Sequence, residues 1–446
     1  MLDLISDTAQ IDGPVQEPVH GRHFDYSPPI DLMDLDVFTQ GQPFNVFAEM
    51  REKAPVCWCD EVYPERENGP GFWSITRYDL VRDIELDPDT FSSQAGGINI
   101  AYGAPETRHP RLFPATLNNL ICMDRPNHFT LRREHMKFFT ADYARQLRAR
   151  VDAKIDALLD DMQTQGQPLD MVEAFSAQLP LFTLCEILGF PEADRPKIFD
   201  WMHHLEAAAD IINRQALGSV DPDTLMTYLG KIDELFEYGR TILLERRANP
   251  QDDLMSAIAT ARIDGELLPE EYLDGSWLLI VFAGNDTTRN TLSGTMRLLS
   301  ENPDQRAKLL EKPELIGGMV NEAIRCVSPV MHMRRTATRD VQLAGQTIAA
   351  GEKVVMWYGA ANRDPAVFSN PDQFDIEREN ASEHIAFGLG PHICLGQRIA
   401  NMQLNAAYSK ILQRFPKMAW TGAIEIAPHN FVHAISRFEV DLNGSS

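Results

Sequence analysis

The chain has 446 residues, 44% of them hydrophobic, enough to bury a large core, and 65 acidic against 41 basic residues give it a formal charge of −24. That acidity argues against nucleic acid or an anionic membrane surface as partner and suits an uncharged, apolar small molecule better. Six scattered cysteines form no CxxC pair, no regular disulfide framework and no CxxCH attachment site, which fits a reducing cytoplasm.

Residues 1–25 read as a polar N-terminal extension. They lack the basic and apolar regions of a signal peptide, and nothing downstream reaches the ~18 apolar residues of a spanning helix, so a cytoplasmic location without a membrane anchor is expected. No Gly-, Ser- or Pro-rich linker interrupts the remainder, and residues 26–446 are expected to form a single, mainly helical domain. The pair Cys57 and Cys59 has no histidine or further cysteine nearby to complete a metal shell and reads as structural. Strand-like segments follow at Phe72–Thr76 and, much later, at Lys353–Trp357. In the run Asp124 to Arg132, His128 and Arg132 fall four residues apart on one helix face.

From Pro269 to Asn302 the sequence predicts one long helix, opened by Pro-Glu-Glu and closed by Asn-Pro. Its centre, Trp277 to Phe282, is apolar on all sides and must be buried. Into that centre fall Ala283, Gly284, Asn285, Asp286, Thr287 and Thr288. A mid-helix glycine costs ~1 kcal/mol relative to alanine, and an acid beside an alcohol adds nothing to a core helix. Thr287 can bond the Ala283 carbonyl, bend the helix and leave a notch beside Gly284, with room for dioxygen and a water.

Further on, Glu322 and Arg325 share a helix face, where alone such a pair is worth a few tenths of a kcal/mol. The run Phe387 to Gly396 then sets Cys394 in a glycine-rich loop ahead of the amphipathic segment Leu395–Phe415. A helix N-terminus there would lower the thiol pKa, and glycines at 388, 390 and 396 would let backbone pass close to a large flat ligand.

The spacing F-x-x-G-x-x-x-C-x-G from Phe387 to Gly396 resembles the haem-ligand signature of the cytochrome P-450 family. The Ala283 to Thr288 segment resembles that family's oxygen-activating motif, and Glu322 with Arg325 its E-x-x-R helix. The resemblance implies the P-450 fold, a mainly α triangular prism with a small β region. It implies haem b with Cys394 as axial thiolate, Ala283 and Phe387 against the haem, and an iron made electron-rich for O–O cleavage. Asp286 would supply protons, and Thr287 would position the water or donate the hydrogen bond, during dioxygen activation. Glu322, Arg325 and the later Arg378 would form a buried charge network. His128, Arg132, Arg335 and His392 would receive the haem propionates.

Soluble bacterial members of the family take electrons from an iron-sulfur ferredoxin and its NAD(P)H-dependent reductase, and the chain carries no flavin or ferredoxin domain of its own. Arg133, Lys137 and Arg398 are expected to form the basic patch that meets the ferredoxin. The resemblance is to groups that oxidise terpenoid, alkyl or aromatic hydrocarbons, branched lipids and sterol side chains. Asp286 stands where the sterol and branched-lipid groups commonly have glutamate and agrees better with alkane and monoterpene oxidisers. The substrate pocket is expected from Ile98, Ile100, Tyr102, Leu279, Ala283, Val330, Met331, Met333, Phe431 and Val432, under a lid at Met202–Val220. Two other readings are a peroxide-using haem enzyme and a non-catalytic haem sensor, neither of which needs the alcohol of Thr287.

Overall fold

The computed structural model describes residues 31–62, 68–102, 108–206 and 222–444. The predicted N-terminal extension and residues 207–220 of the predicted lid lie outside the described residues. The organising element is a 32-residue helix, Glu270–Glu301, bounded by Pro269 and Asn302 as the sequence predicts. At 1.5 Å per residue it is about 48 Å long and crosses the molecule. Trp277 fixes its N-terminal half by donating its indole N–H to the Leu235 carbonyl at 3.0 Å.

Around this central helix pack Gln178–Leu188, Pro222–Ala248 and Ile316–Val327. The helix after the cysteine loop, Gln397–Arg414, lies against Ala141–Thr164 and Ile316–Val327. Ala141–Thr164 shows why these segments are helical. Thr140 caps it by accepting from the Tyr143 amide at 3.2 Å, and Leu147, Val151, Ile155 and Leu158 recur at helical spacing on its buried face. The largest apolar core includes residues from Ala115 to Leu442, so N- and C-terminal parts of the described chain share it.

The β region is small. Its main sheet has the order Val56–Cys59, Phe72–Ile75, Lys353–Trp357, His332–Ala337, Phe91–Ser92. Lys353–Trp357 runs parallel to Phe72–Ile75 and antiparallel to His332–Ala337, and all five of its residues are buried. A buried central strand explains its unbroken apolar run of Val354 to Trp357. Opposite Val354 and Val355 sit Arg335 and Arg334, which the pleat sends to opposite faces. The architecture is the mainly α fold with a small β region expected from the sequence.

Candidate active site

Cys394 lies between a short 3-10 turn, Gly390–His392, and the helix Gln397–Arg414. Its amide donates to the Phe387 carbonyl at 2.8 Å, closing the loop on itself. Gly390 has φ +64°, and a Cβ there would come within 2.7 Å of the Glu85 carbonyl oxygen. Glycine is therefore what lets the loop lie against the helix Tyr78–Leu86. The Cys394 sulfur opens into an internal cavity. Burial pushes its thiol pKa up, more than the Gly396 amide, Arg132 and the Gln397 amide pull it down. The lowering expected from a helix terminus is thus outweighed by desolvation, and a thiolate here needs a cation beside it.

The same cavity is lined by Leu279, Ala283, Gly284 and Thr287 of the central helix. Thr287 Oγ1 donates to the Ala283 carbonyl at 3.2 Å, the back-bond anticipated from the spacing. A Cβ on Gly284 would approach Leu184 Cδ1 to 2.8 Å, so this glycine also seats the helix Gln178–Leu188. Asp286 is buried outside the cavity lining. Its Oδ1 lies 3.7 Å from Arg289 Nη2 and accepts from Asn285 Nδ2 at 3.4 Å. Adjacent helical residues point about 100° apart, so Asp286 and Thr287 do not share one face. Asn290 clips this turn in place: its Nδ2 donates to the Asp286 carbonyl at 2.8 Å and its Oδ1 accepts the Ile435 amide at 2.7 Å.

Polar residues gather at one part of the cavity wall. His128, Arg132, Arg335 and His392 all line it, as does Phe387. Arg132 Nη2 donates to the Ile393 carbonyl at 2.5 Å, tying its helix to the cysteine loop. The His128 and His392 rings sit 4.1 Å apart. Burial, with neighbouring guanidinium groups, pushes His128 down to about 4 and His392 down to about 2. Two residues here escaped the sequence reading, Glu85 and Tyr358. Arg335 Nη2 reaches both Glu85 carboxylate oxygens at 3.3 Å, and the Tyr358 hydroxyl donates to the same carboxylate. The available signal was Glu85 falling on the apolar face of its helix with Val81 and Ile84.

Glu322 accepts from Arg325 Nε and Nη2, both at 2.8 Å, and from Arg378 Nε at 3.0 Å to each oxygen. Arg325 Nη1 also donates to the carbonyls of Asn362 and Pro371 at 2.8 Å, which fastens the segment before the cysteine loop to this helix. Burial alone would raise the Glu322 pKa, but the bonds and charges of its partners hold it below the usual carboxylate value.

Of the expected pocket residues, Leu279, Ala283, Val330 and Met333 line the cavity. Ile98, Ile100, Tyr102, Met331, Phe431 and Val432 lie outside its lining. Ile100 and Met331 pack in the core beside Trp357, and Tyr102 stacks edge-on against Phe113. Leu120, Ile121 and Ile280, which the sequence reading did not single out, complete the apolar wall. Arg133 and Lys137 are exposed beside Glu134 and Asp252, at 3.9 and 3.2 Å. Arg398 is exposed at a separate hollow of about 670 Å³ that reaches Cys394 and Arg132.

A mostly apolar cavity with one thiol, two guanidinium groups and two imidazoles is a fitting receptor for an iron tetrapyrrole with two carboxylates. The comparisons agree. The profile of the Cytochrome P450 family matches residues 104–421. Linalool 8-monooxygenase of Pseudomonas putida is 33% identical over 92% of this chain and 98% of its own length. The methyl-branched lipid omega-hydroxylase of Mycobacterium bovis is 32% identical over 92% and 94%. A cytochrome P450 of Mycobacterium marinum, solved in complex with pseudoionone, superposes with a TM-score of 0.82 at 31% identity, covering 92% of this chain and 99% of that one. With the cysteine loop, the central helix and the overall architecture in agreement, the chain belongs to the cytochrome P450 family and is a haem-thiolate monooxygenase with Cys394 as axial ligand.

Proposed function

We propose that the enzyme hydroxylates an unactivated C–H bond of an apolar terpenoid or alkyl substrate, using electrons from a ferredoxin. The observation that carries the substrate class is the wall formed by Leu120, Ile121, Leu279, Ile280, Val330 and Met333, in the cavity that holds Thr287 and Cys394. Such a wall binds by burying apolar surface, at about 25 cal/mol per Å², and offers few polar fixes. Linalool and pseudoionone, named with two of the similar proteins, support an acyclic terpenoid body. The similarity to a methyl-branched lipid hydroxylase supports a second reading, oxidation of a branched lipid or sterol side chain.

The bound haem supplies dioxygen activation. The protein residues then have separate tasks. Thr287 places its hydroxyl at the cavity wall, where it can hold a water, while Asp286 relays protons from behind that face of the helix. Titrating the haem-loaded ferric protein with a linear alkane, a terpenoid alcohol, a polycyclic aromatic, a branched lipid and a sterol tests the substrate class. The largest shift of the haem absorption band is expected from the terpenoid or the alkane. A shift confined to the sterol would overturn the reading in favour of the second.

Electron delivery is assigned to the hollow reaching Cys394, where Arg398, Arg145 and Arg148 surround Met136 and Met402. Arg145 and Arg148 are engaged by Asp142 and Asp152 on their own helix, which leaves Arg398 as the cation best placed for an acidic ferredoxin. Arg398→Glu should slow ferredoxin-dependent reduction roughly tenfold, the equivalent of about 1.4 kcal/mol, and weaken its salt dependence. Stopped-flow reduction at two ionic strengths checks this; unchanged rates would remove Arg398 from the docking face.

A further inference from the structure

Ser276 carries a hydroxyl for which the reaction just described has no use. It lies in the N-terminal half of the central helix, is 2% exposed, and lines the cavity that holds Cys394. Further along the same helix Thr287, Thr291, Thr295 and Ser300 each donate to the carbonyl four residues back, at 2.6 to 3.2 Å, which is how a helix satisfies an alcohol internally. Ser276 makes no such bond, and its Oγ has no hydrogen-bond partner among the described residues. The Tyr272 hydroxyl, one turn earlier, comes near it without a bond of ordinary geometry. Were Tyr272 to donate, the proton of Ser276 would still lack an acceptor.

Helix geometry sets this hydroxyl on the same stripe as the oxygen-activating residues. At about 100° per residue, Ser276, Ala283 and Thr287 point within about 40° of one another, and Ser276 stands about 10 Å along the axis from Ala283 and about 16 Å from Thr287. Its neighbours on the wall are apolar: Leu279 and Ile280 follow it on the helix, and Leu120 packs with Tyr272 and Leu279. Two other lining atoms lack a partner, His135 Nε2 and Gln403 Oε1. They belong to the helices Asn127–His135 and Gln397–Arg414, which carry Arg132 and follow Cys394, on the side that receives haem. Arg132 and Arg335 are the guanidinium groups of the described lining, and both belong to that side. The charges close to Ser276 in the chain are paired, since Asp274 engages Arg111 and Arg240. The wall at Ser276 thus offers one neutral donor in apolar surroundings.

We propose that Ser276 determines substrate specificity: its hydroxyl donates to a neutral oxygen, that of an alcohol or a ketone, at the end of the substrate remote from the carbon that is oxidised. This role rests on the apolar terpenoid or alkyl reading of the same cavity and narrows it to members that carry one oxygen. A carboxylate does not suit the position, because a lone hydroxyl does not offset the desolvation of a charge. A hydrocarbon without the oxygen leaves Ser276 unpaired and free to shift along the wall, whereas an oxygenated one is held at a fixed reach from Ala283.

The test is an optical titration of the haem-loaded ferric full chain, wild type and Ser276→Ala, with n-octane, n-octanol and octanoate, followed by analysis of the products formed from n-octanol. Alanine is the best helix former and removes a single oxygen, so folding and haem loading should be kept. Ser276→Ala should weaken n-octanol binding roughly tenfold and n-octane binding less than about twofold, a change in their ratio that a merely structural role would not give. Octanoate should bind the wild type roughly tenfold or more weakly than n-octanol. The wild type should oxidise n-octanol mainly at the carbons farthest from the hydroxyl, and Ser276→Ala should spread the products along the chain. An unchanged ratio, equal weakening of both ligands, octanoate binding as tightly as n-octanol, or an unchanged product distribution would each overturn the proposal. Shifts of the haem band with n-octane and n-octanol alike, in a ratio that Ser276→Ala leaves alone, would overturn the role of Ser276 and leave the proposed function standing. No shift with any of the probes would overturn both.

Discussion

Glu322→Gln should destabilise the protein by about 3–5 kcal/mol, read as a lower denaturant midpoint at unchanged slope. The amide is nearly isosteric but uncharged, so Arg325 and Arg378 would remain in the interior without the anion that now accepts four bonds from them. The carbonyls of Asn362, Pro371 and Ser369 would still accept from the two guanidinium groups, but carbonyls bring no net charge. The effect should depend on pH in a defined direction. Because the Glu322 pKa is held down in the folded protein, its contribution is present above the ordinary carboxylate value of about 4.3 and is lost as pH falls through the lower folded value. The gap between wild type and variant should therefore be largest near neutral pH and narrow in acid. A midpoint shift worth less than about 1 kcal/mol at neutral pH would mean that the network's charges are satisfied in some other way.

Thr287→Ala should separate electron consumption from product formation. The substitution removes one hydroxyl and its bond to the Ala283 carbonyl, leaving the helix hydrogen bonds and the apolar wall in place. Haem loading and the size of the substrate-induced absorption shift should stay near wild type. Product formed per reducing equivalent should fall by roughly tenfold or more. That is less than the roughly 10²–10⁴ attributed to a positioned acid or base, because a water can enter the space left by the side chain. Thr287→Ser should recover most of the coupling, since it restores the hydroxyl on the same rotor. Wild-type coupling in the alanine variant would count against a role for the alcohol and reopen the peroxide-using alternative.

Features coded by local spacing were legible in the sequence. The central helix begins and ends at the predicted Pro269 and Asn302, Lys353–Trp357 is a strand with the predicted bounds, and Thr287 makes its back-bond four residues upstream. The Glu322 network was legible only through the resemblance to the family's E-x-x-R helix and later arginine, since Arg378 lies 56 residues from Glu322 and the helix pair alone implies little. Glu85 was not, since its partners Arg335 and Tyr358 lie 250 and 273 residues away, and no periodicity links such distances. The pocket wall was only partly legible for the same reason. Ile100 and Met331 alternate with other apolar residues in irregular or extended segments, and which of them faces the cavity is decided by sheet packing. For Asp286 and Thr287 the motif shows their adjacency, whereas helix geometry separates the faces they occupy.

The bond between Asn290 and Ile435 also bears on the order in which the protein is assembled during synthesis. The turn carrying Asp286 is tied through Asn290 to a strand, Ala434–Asp441, in which its partner Ile435 lies 145 residues further along the chain. That strand also joins Ala419–Ala427 to Leu169–Asp170 from much earlier in the chain. A nascent polypeptide can complete its central helix well before that strand is made, yet the clip beside the acid closes only after the strand has emerged.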